Sequence, residues 1–209
     1  MGIAISSSSI AVGARCPWLR AGVGAVSSQN ITLPALGPQI LDELAGGLVA
    51  QAALERTLAR NGYSQYRQVA VIDAEGRTAI FSGEHTLGTH NAVAGEQCVA
   101  AGNLLANGAV IEAMVAAFEH SAGCLAARLV SALQAGQAAG GEAGAVHSAA
   151  LSVVDDLTWP IVDLRVDWAE ENPIGELEKA LARLSAAIAG LPDPRAQPDA
   201  GAQLWSAGR

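Results

Sequence analysis

The stretch MGIAISSSSIAVGARCPWLRAGVGAVSSQN, residues 1–30, organises the predicted fold. Its apolar runs, residues 2–6 and 22–26, are short and bounded by small polar or turn-forming residues, which is typical of buried strands. A loop carrying Ser7 and the Cys16-Pro17-Trp18 corner joins the two runs. Both runs end in hydroxyl or amide residues, so we expect small polar groups to cluster at the strand ends.

Composition predicts one compact domain over residues 1–190. The chain has 209 residues, of which 51% are hydrophobic and only 15% charged, so disorder is not expected. Alanine and glycine are abundant, which suits closely packed layers of sheets and helices. Residues 191–209 contain breaks rich in proline and alanine and are predicted to form a loose tail.

Charge and cysteine content indicate which classes of partner to expect and in which cellular compartment the protein lies. A formal charge of −8 with only 12 Lys plus Arg argues against a nucleic-acid partner, which would require a basic surface. No apolar run reaches the roughly 18 residues of a membrane span, and no signal peptide is indicated. Three widely spaced cysteines are expected to be reduced thiols, so the sequence predicts a cytoplasmic protein.

The order of predicted elements favours an α+β fold. Strand patterns arrive in consecutive groups that could form hairpins, separated by pairs of amphipathic helices, rather than in strict alternation with helices. This favours two mostly antiparallel sheets over a doubly wound parallel sheet. We expect four layers, with the two sheets inside and the helices outside.

No motif predicts a cofactor or a metal site. Gly22-x-Gly24-x-x-Ser27 resembles a dinucleotide fingerprint but lacks its third glycine and a following helix. The four histidines share no ligand spacing with the cysteines. His85, in a polar loop, is either an acid or base in a cleft or simply a solvated side chain.

Two further features, one amide and one row of charged residues, each allow a functional and a purely structural interpretation. Asn103 follows a predicted strand, where its amide could donate to a substrate carbonyl or oxyanion, or cap the next segment. Asp163, Arg165 and Asp167 alternate along a strand, so they share one face. That row could orient a carboxylate or amide substrate, although spacing alone favours a solvated ladder of ion pairs.

The motifs together resemble a known family. The chain is similar to a bacterial family assigned to the N-terminal-nucleophile (Ntn) hydrolases and long catalogued as a domain of unknown function. The resemblance covers residues 2–188, and its strength lies in the order of the motifs rather than in any one of them. The motifs are Ala11-Val-Gly13, Gly22-Val-Gly-Ala-Val26 with Gln29, Arg67-Gln68-Val69, Gly102-Asn103-Leu104, Ala138-Ala-Gly-Gly141, Ser148-Ala-Ala-Leu151, and Asp163-Leu-Arg-Val-Asp167 with Pro173-Ile174.

The resemblance implies an αββα sandwich and a particular catalytic device. In Ntn hydrolases the first residue of the mature chain, a Thr, Ser or Cys, attacks an amide carbonyl, and its own α-amino group takes the proton. An α-amine with a pKa near 8 is a base poised close to neutral pH. The resemblance therefore implies hydrolysis of a small amide or a related C–N bond.

The chain departs from the family at this position. Members of the family typically begin with Met-Thr on a strand that precedes the one at residues 2–6, whereas removal of Met1 here would expose Gly2, which has no nucleophile. We expect either that the natural chain starts upstream or that this is a shortened or inactive relative. The first is favoured because a lost central strand would leave backbone groups unpaired. Internal processing ahead of a serine is a third, weaker alternative.

Two functions therefore stand as hypotheses. The first is a cytoplasmic hydrolase of a small-molecule amide, and the second is a non-catalytic ligand-binding or assembly protein that uses the same cleft. A homodimer is expected in either case, without cofactor, nucleic acid or membrane. The predicted pocket residues are Ser7, Ser27, Gln29, Asn103, His85 and Arg165.

Overall fold

The computed structural model describes residues 1–157 and 159–189, and all that follows concerns that part of the chain. The tail expected over residues 191–209 lies outside it. The helices are α1 (Leu36–Ala45), α2 (Ala50–Arg60), α3 (Ala109–His120), α4 (Leu125–Ala138) and α5 (Pro173–Ala189). The strands are β1 (Gly2–Ser7), β2 (Pro17–Arg20), β3 (Gly24–Asn30), β4 (Arg67–Asp73), β5 (Thr78–Ser82), β6 (Thr89–Gly95), β7 (Cys98–Leu105), β8 (Ser148–Val153) and β9 (Val162–Val166).

The strands form three open sheets. Their orders are β1-β8-β9, β2-β3-β4-β5 and β6-β7. Every pairing between these named strands is antiparallel. The predicted α+β class and the antiparallel character of its sheets are thus confirmed.

Helices pack on the sheets in separate apolar cores. Helices α1 and α2 cover one face of the four-stranded sheet, burying Val26, Val69 and Val71. Helices α4 and α5 cover the β1-β8-β9 sheet, where Leu151 and Leu177 are fully buried. Helix α3 packs on the β6-β7 hairpin. Each helix therefore packs its apolar side against a sheet, with α1 and α2 sharing one sheet and α4 and α5 another.

Two strands were missed by the sequence patterns. The segment around Cys16-Pro17-Trp18 was expected to be a loop, but β2 pairs with β3 there. Residues 83–95 were expected to be a polar loop, but β6 pairs with β7. Strand β2 is short and begins with proline, and β6 is largely polar or exposed, so neither shows the apolar run expected of a buried strand.

Two predicted strands are longer than expected. Strand β3 starts at Gly24 rather than Gly22 and continues through Ser27 and Gln29 to Asn30. Strand β7 continues through Asn103 to Leu105. The expectation that these polar residues follow the strand ends was therefore wrong. They lie inside strands, so the alternation of the strand decides which face their side chains occupy.

The fold makes a simple prediction about stability. Leu151 is fully buried between β8 and its covering helices, so Leu151→Ala should lower the free energy of unfolding by about 2–5 kcal/mol through lost apolar contact and a residual cavity. Leu157→Ala, at a residue that is 40% exposed, serves as the matched control and should change it by less than about 1 kcal/mol. Equal losses in urea denaturation would contradict this packing.

Candidate functional site

A slot of about 960 Å³ lies between β1 and β7. Residues 1–9 line one side of it and residues 96–105 the other. Helices α3 and α4 form one wall, with Met114 and Leu129, and the four-stranded sheet forms the facing wall, with Ala25, Ser27 and Ile72. The lining combines apolar side chains with polar and charged ones, among them Arg15, Asp73 and Glu119.

Gln68 joins the four-stranded sheet to β7 beside the slot. Its side chain is fully buried. Its Oε1 accepts hydrogen bonds from Gln29 Nε2 at 2.8 Å and Asn103 Nδ2 at 3.2 Å. Its Nε2 donates to Ser82 Oγ and to the Gly102 carbonyl oxygen, both at 3.1 Å. Every polar group of this buried amide therefore has a partner, as burial requires.

Three of the predicted pocket residues, Ser27, Gln29 and Asn103, lie together in the slot. Gln29 Nε2 is fully used, because it also donates to the Ala101 carbonyl oxygen at 3.0 Å, and Gln29 Oε1 accepts from Ser27 Oγ at 3.2 Å. Asn103 is different. Its bond to Gln68 uses one N–H, and within the described residues its second N–H and its Oδ1 have no partner. Asn103 is thus the amide that can meet a ligand.

Ser7, a fourth predicted residue, lines the slot at the end of β1. Its Oγ accepts a hydrogen bond from the Ser9 backbone N–H at 3.0 Å. The neighbouring Ser148 Oγ donates to the Ser9 carbonyl oxygen at 2.6 Å and accepts from the Val12 N–H at 3.2 Å. These bonds shape the loop that follows β1, so Ser7 is held as part of a turn.

Glu142 closes one end of the slot, and the sequence patterns did not assign it to the site. Its backbone forms an isolated bridge with Leu105 of β7. Its carboxylate accepts from the Ser8 N–H at 3.1 and 3.2 Å. Burial raises the pKa of Glu142, and the hydrogen bonds from Ser8 only partly offset this. The sequence feature that could have assigned Glu142 to the site is its position as a lone carboxyl in a Gly/Ala-rich loop.

Asp73 is a buried carboxylate at the slot whose oxygens are already occupied. It accepts from the backbone N–H groups of Glu75, Arg77 and Ala50, and from Arg77 Nε at 2.7 Å. Burial works to raise the pKa of Asp73, but these hydrogen bonds, led by that from the Arg77 side chain, outweigh it and hold the pKa below its ordinary value. Asp73 therefore fixes the β4–β5 turn against the start of α2.

Two thiols line the slot, and neither is activated. Burial raises the pKa of Cys16, beside Thr32, and of Cys98. A raised pKa keeps a thiol protonated, whereas a nucleophilic cysteine requires a lowered one.

The remaining predicted residues lie elsewhere. The His85 ring packs against Tyr66, with 4.9 Å between centroids, and is half exposed outside the lining of the slot. Arg165 forms a bidentate pair with Asp167 at 3.1 and 2.7 Å and borders a second cavity of about 540 Å³. Asp163, Arg165 and Asp167 are all exposed on one face, while Val162, Leu164 and Val166 pack on the core.

Two general features of the described residues bear on function. No group of three or more His, Cys, Asp or Glu side chains among them is placed to hold a metal ion. None of their helices combines the length and apolar character needed to cross a membrane.

Comparison with known proteins identifies the family. A family model described as "Family of unknown function (DUF1028)" matches residues 1–177, so the chain belongs to the DUF1028 family. The fold is similar to the crystal structure of protein SPO2555 from Silicibacter pomeroyi, also described as DUF1028, with 30% identity and a TM-score of 0.82. That match covers 87% of this chain and 79% of the other. No curated protein matches the chain.

The Gln68 cluster can be tested by removing its amide. Gln68→Leu keeps the volume but leaves the amides of Gln29 and Asn103 short of an acceptor, so the free energy of unfolding should fall by about 2 kcal/mol or more. Gln51→Leu, on the exposed face of α2, is the control and should change it by less than about 0.5 kcal/mol. Equal effects of the two substitutions in urea denaturation would rule out a structural hub.

Glu142 should make stability depend on pH. Because the folded protein holds the Glu142 proton more tightly than the unfolded chain, ionisation costs stability as the pH rises from about 4.3 through the raised folded pKa. The stability of Glu142→Gln relative to wild type should therefore increase from pH 4 to pH 8.

The exposed Leu157→Ala variant, which removes no titratable group, is the control, and its stability relative to wild type should stay flat over the same range. A Glu142→Gln difference that is flat or falls with pH would show that the carboxyl is not desolvated by burial.

Proposed function

We propose that this chain binds a small molecule bearing an amide or a related C–N group, and that the slot is the binding site. The observation that supports this is Asn103, which lines the slot and whose second N–H and Oδ1 are left without partners in the described residues. An amide ligand can satisfy both at once, because it offers one acceptor and one donor.

The proposed architecture is the four-layer αββα sandwich of the Ntn hydrolases. Its support is the separation of the helix–sheet cores: α1 and α2 cover one sheet, while α4 and α5 cover another. Between these two sheets lies a small cluster of Ile5, Val12, Cys16 and Ala150. Two helix layers outside two sheets would account for the separate helix–sheet cores and for the small cluster between the sheets.

Binding without chemistry fits the described residues best. Ser27 Oγ donates to Gln29 Oε1, and Ser7 Oγ accepts from a backbone N–H, so neither hydroxyl is hydrogen-bonded to a general base. A nucleophile needs an adjacent base or a lowered pKa.

Hydrolysis of the bound C–N bond is the second candidate function. The observation that favours it is the spare N–H of Asn103, which is of the kind that stabilises an oxyanion. The attacking group would have to be a Thr, Ser or Cys with a free α-amine, as the resemblance to Ntn hydrolases implies.

The binding proposal is tested with N-acetyl-alaninamide in isothermal titration calorimetry. Asn103→Ala should weaken binding roughly threefold to tenfold, the loss expected for one or two neutral hydrogen bonds. Asn61→Ala, at the end of α2 and outside the lining of the slot, should bind as wild type. Absence of saturable heat with wild type, or equal affinities for all three proteins, would contradict the proposal.

The same protein, treated with a β-lactone probe and measured as intact mass, separates the two functions. A covalent adduct supports the hydrolase. Unmodified protein that still binds N-acetyl-alaninamide supports the binder.

A further inference from the structure

Arg15 is a partly buried arginine that lines the slot, and within the described residues its guanidinium has no carboxylate partner. Its Nη1 donates to the Ile10 carbonyl oxygen, and this is the one hydrogen bond that the guanidinium makes there. A guanidinium carries five N–H donors, so most of those of Arg15 are left for a ligand or for solvent. The backbone bond therefore orients this cation without neutralising its charge.

An arginine without an ion pair is unusual in so acidic a chain, which has 20 Asp plus Glu against 12 Lys plus Arg. Most cationic side chains in the described part of the chain are paired with carboxylates: Arg20, Arg56, Arg60, Arg77, Arg165 and Lys179. Arg128, the second arginine that lines the slot, lies over the Phe118 ring at 4.1 Å and donates to the Phe118 carbonyl oxygen at 3.0 Å. Of these two arginines, Arg15 is the one that is available to an anion.

Contacts along the chain place Arg15 and Asn103 at the same end of the slot. Glu142 joins the two sides of the slot at that end, because its backbone bridges Leu105 and its carboxylate accepts from the Ser8 N–H. Asn103 lies two residues before Leu105 in β7. The carbonyl group that holds the Arg15 guanidinium lies two residues after Ser8. The amide and the cation therefore flank one end of the cavity.

The other acidic side chains that line the slot, Asp73, Glu96 and Glu119, lie at its opposite end, where β7 begins. The Glu96 N–H donates to Glu119 Oε1 at 2.8 Å just before β7, and the turn that follows Asp73 packs on the Gln97 side chain. Both oxygens of Glu142, the acid nearest to Arg15, accept from the Ser8 N–H. The end of the slot that holds Asn103 therefore offers an anion a free guanidinium and one carboxyl that is already hydrogen-bonded.

We propose that the amide ligand of the slot also carries a carboxylate, which Arg15 binds while Asn103 binds the amide. An N-acyl amino acid is the simplest molecule of this class. The inference rests on the proposed function, since it names the ligand class of the same site. The planar fork of a guanidinium matches the two oxygens of a carboxylate, so Arg15 would fix the orientation of the ligand as well as add affinity.

The test compares N-acetyl-alanine with N-acetyl-alaninamide in isothermal titration calorimetry of the full chain. The two ligands have nearly the same shape, but at neutral pH the first ends in a carboxylate and the second in a neutral amide. Wild type should bind N-acetyl-alanine about tenfold more tightly, as charge-assisted hydrogen bonds to a partly exposed arginine allow. The preference should shrink in about 0.5 M NaCl, because salt screens the attraction.

Variants of Arg15 assign the preference to this side chain. In Arg15→Gln, which loses the charge, the ratio of the two dissociation constants should fall to about one. Arg15→Lys keeps the charge but loses the planar fork, so only part of the preference should remain. Arg183→Gln is the matched control, because it changes the net charge equally at an exposed position of α5 outside the lining of the slot. It should keep the wild-type ratio.

Several results would overturn the inference. These are wild-type protein that binds N-acetyl-alaninamide as tightly as N-acetyl-alanine, a preference that survives in Arg15→Gln, or a preference that Arg183→Gln lowers equally. If Arg15→Gln does not fold, Arg15→Lys still decides, since an unchanged ratio in that variant contradicts a bidentate pair. Binding of N-acetyl-alaninamide without a preference for the acid refutes only this inference, whereas failure of both ligands also refutes the proposed function.

Discussion

The buried amide of Gln68 is the constraint on which the site depends. A fully buried amide must satisfy two donors and two acceptor positions, and Gln68 does so with partners from β3, β5 and β7. These bonds fix how far β7 stands from the four-stranded sheet. Because β7 is one side of the slot, the hydrogen bonds of this one buried amide in β4 help to set the geometry of the cavity.

The slot lies between two strands, β1 and β7, that each stand at the edge of a sheet. Strands β1 and β7 each have one partner strand in the described residues, and their other edges face a common cavity. Glu142 links the two strands at one end, because its backbone forms a bridge with Leu105 and its carboxylate accepts a hydrogen bond from the Ser8 N–H. The burial that raises its pKa shows that this link is made at the cost of desolvating a charge. Backbone groups and the amide of Asn103 are thus among the polar groups that line the slot.

The sequence predicted the class of fold better than the site. Helical periodicity predicts pairs of amphipathic helices between the groups of strands, and α1–α2 and α3–α4 lie there, because each has one apolar face. The sequence pattern does not predict β2 and β6 because their burial is only partial. It predicts ends for β3 and β7 that come too early, because polar residues inside a strand resemble the residues that end one. Of the predicted pocket residues, Ser7, Ser27, Gln29 and Asn103 line the slot, whereas His85 and Arg165 do not.

What the sequence could not show was the role of long-range contacts. Gln68 directly precedes the apolar run of β4, and the sequence does not show that its side chain bonds to Asn103, 35 residues away. Glu142 is a lone carboxyl in a Gly/Ala-rich loop, and nothing in that loop shows its contact with Ser8. Homodimer formation and cytoplasmic location stay predictions, as does hydrolysis.

The most direct test of the central claim, that the edge of β1 facing the slot has no partner strand among the described residues, is amide hydrogen exchange of the free protein measured by NMR. The account predicts alternation along β1: slow exchange at Ile3 and Ile5, which bond to β8, and fast exchange at Ala4 and Ser6. Protection of Ala4 and Ser6 equal to that of Ile5 would mean that the edge is already covered, and would contradict the account.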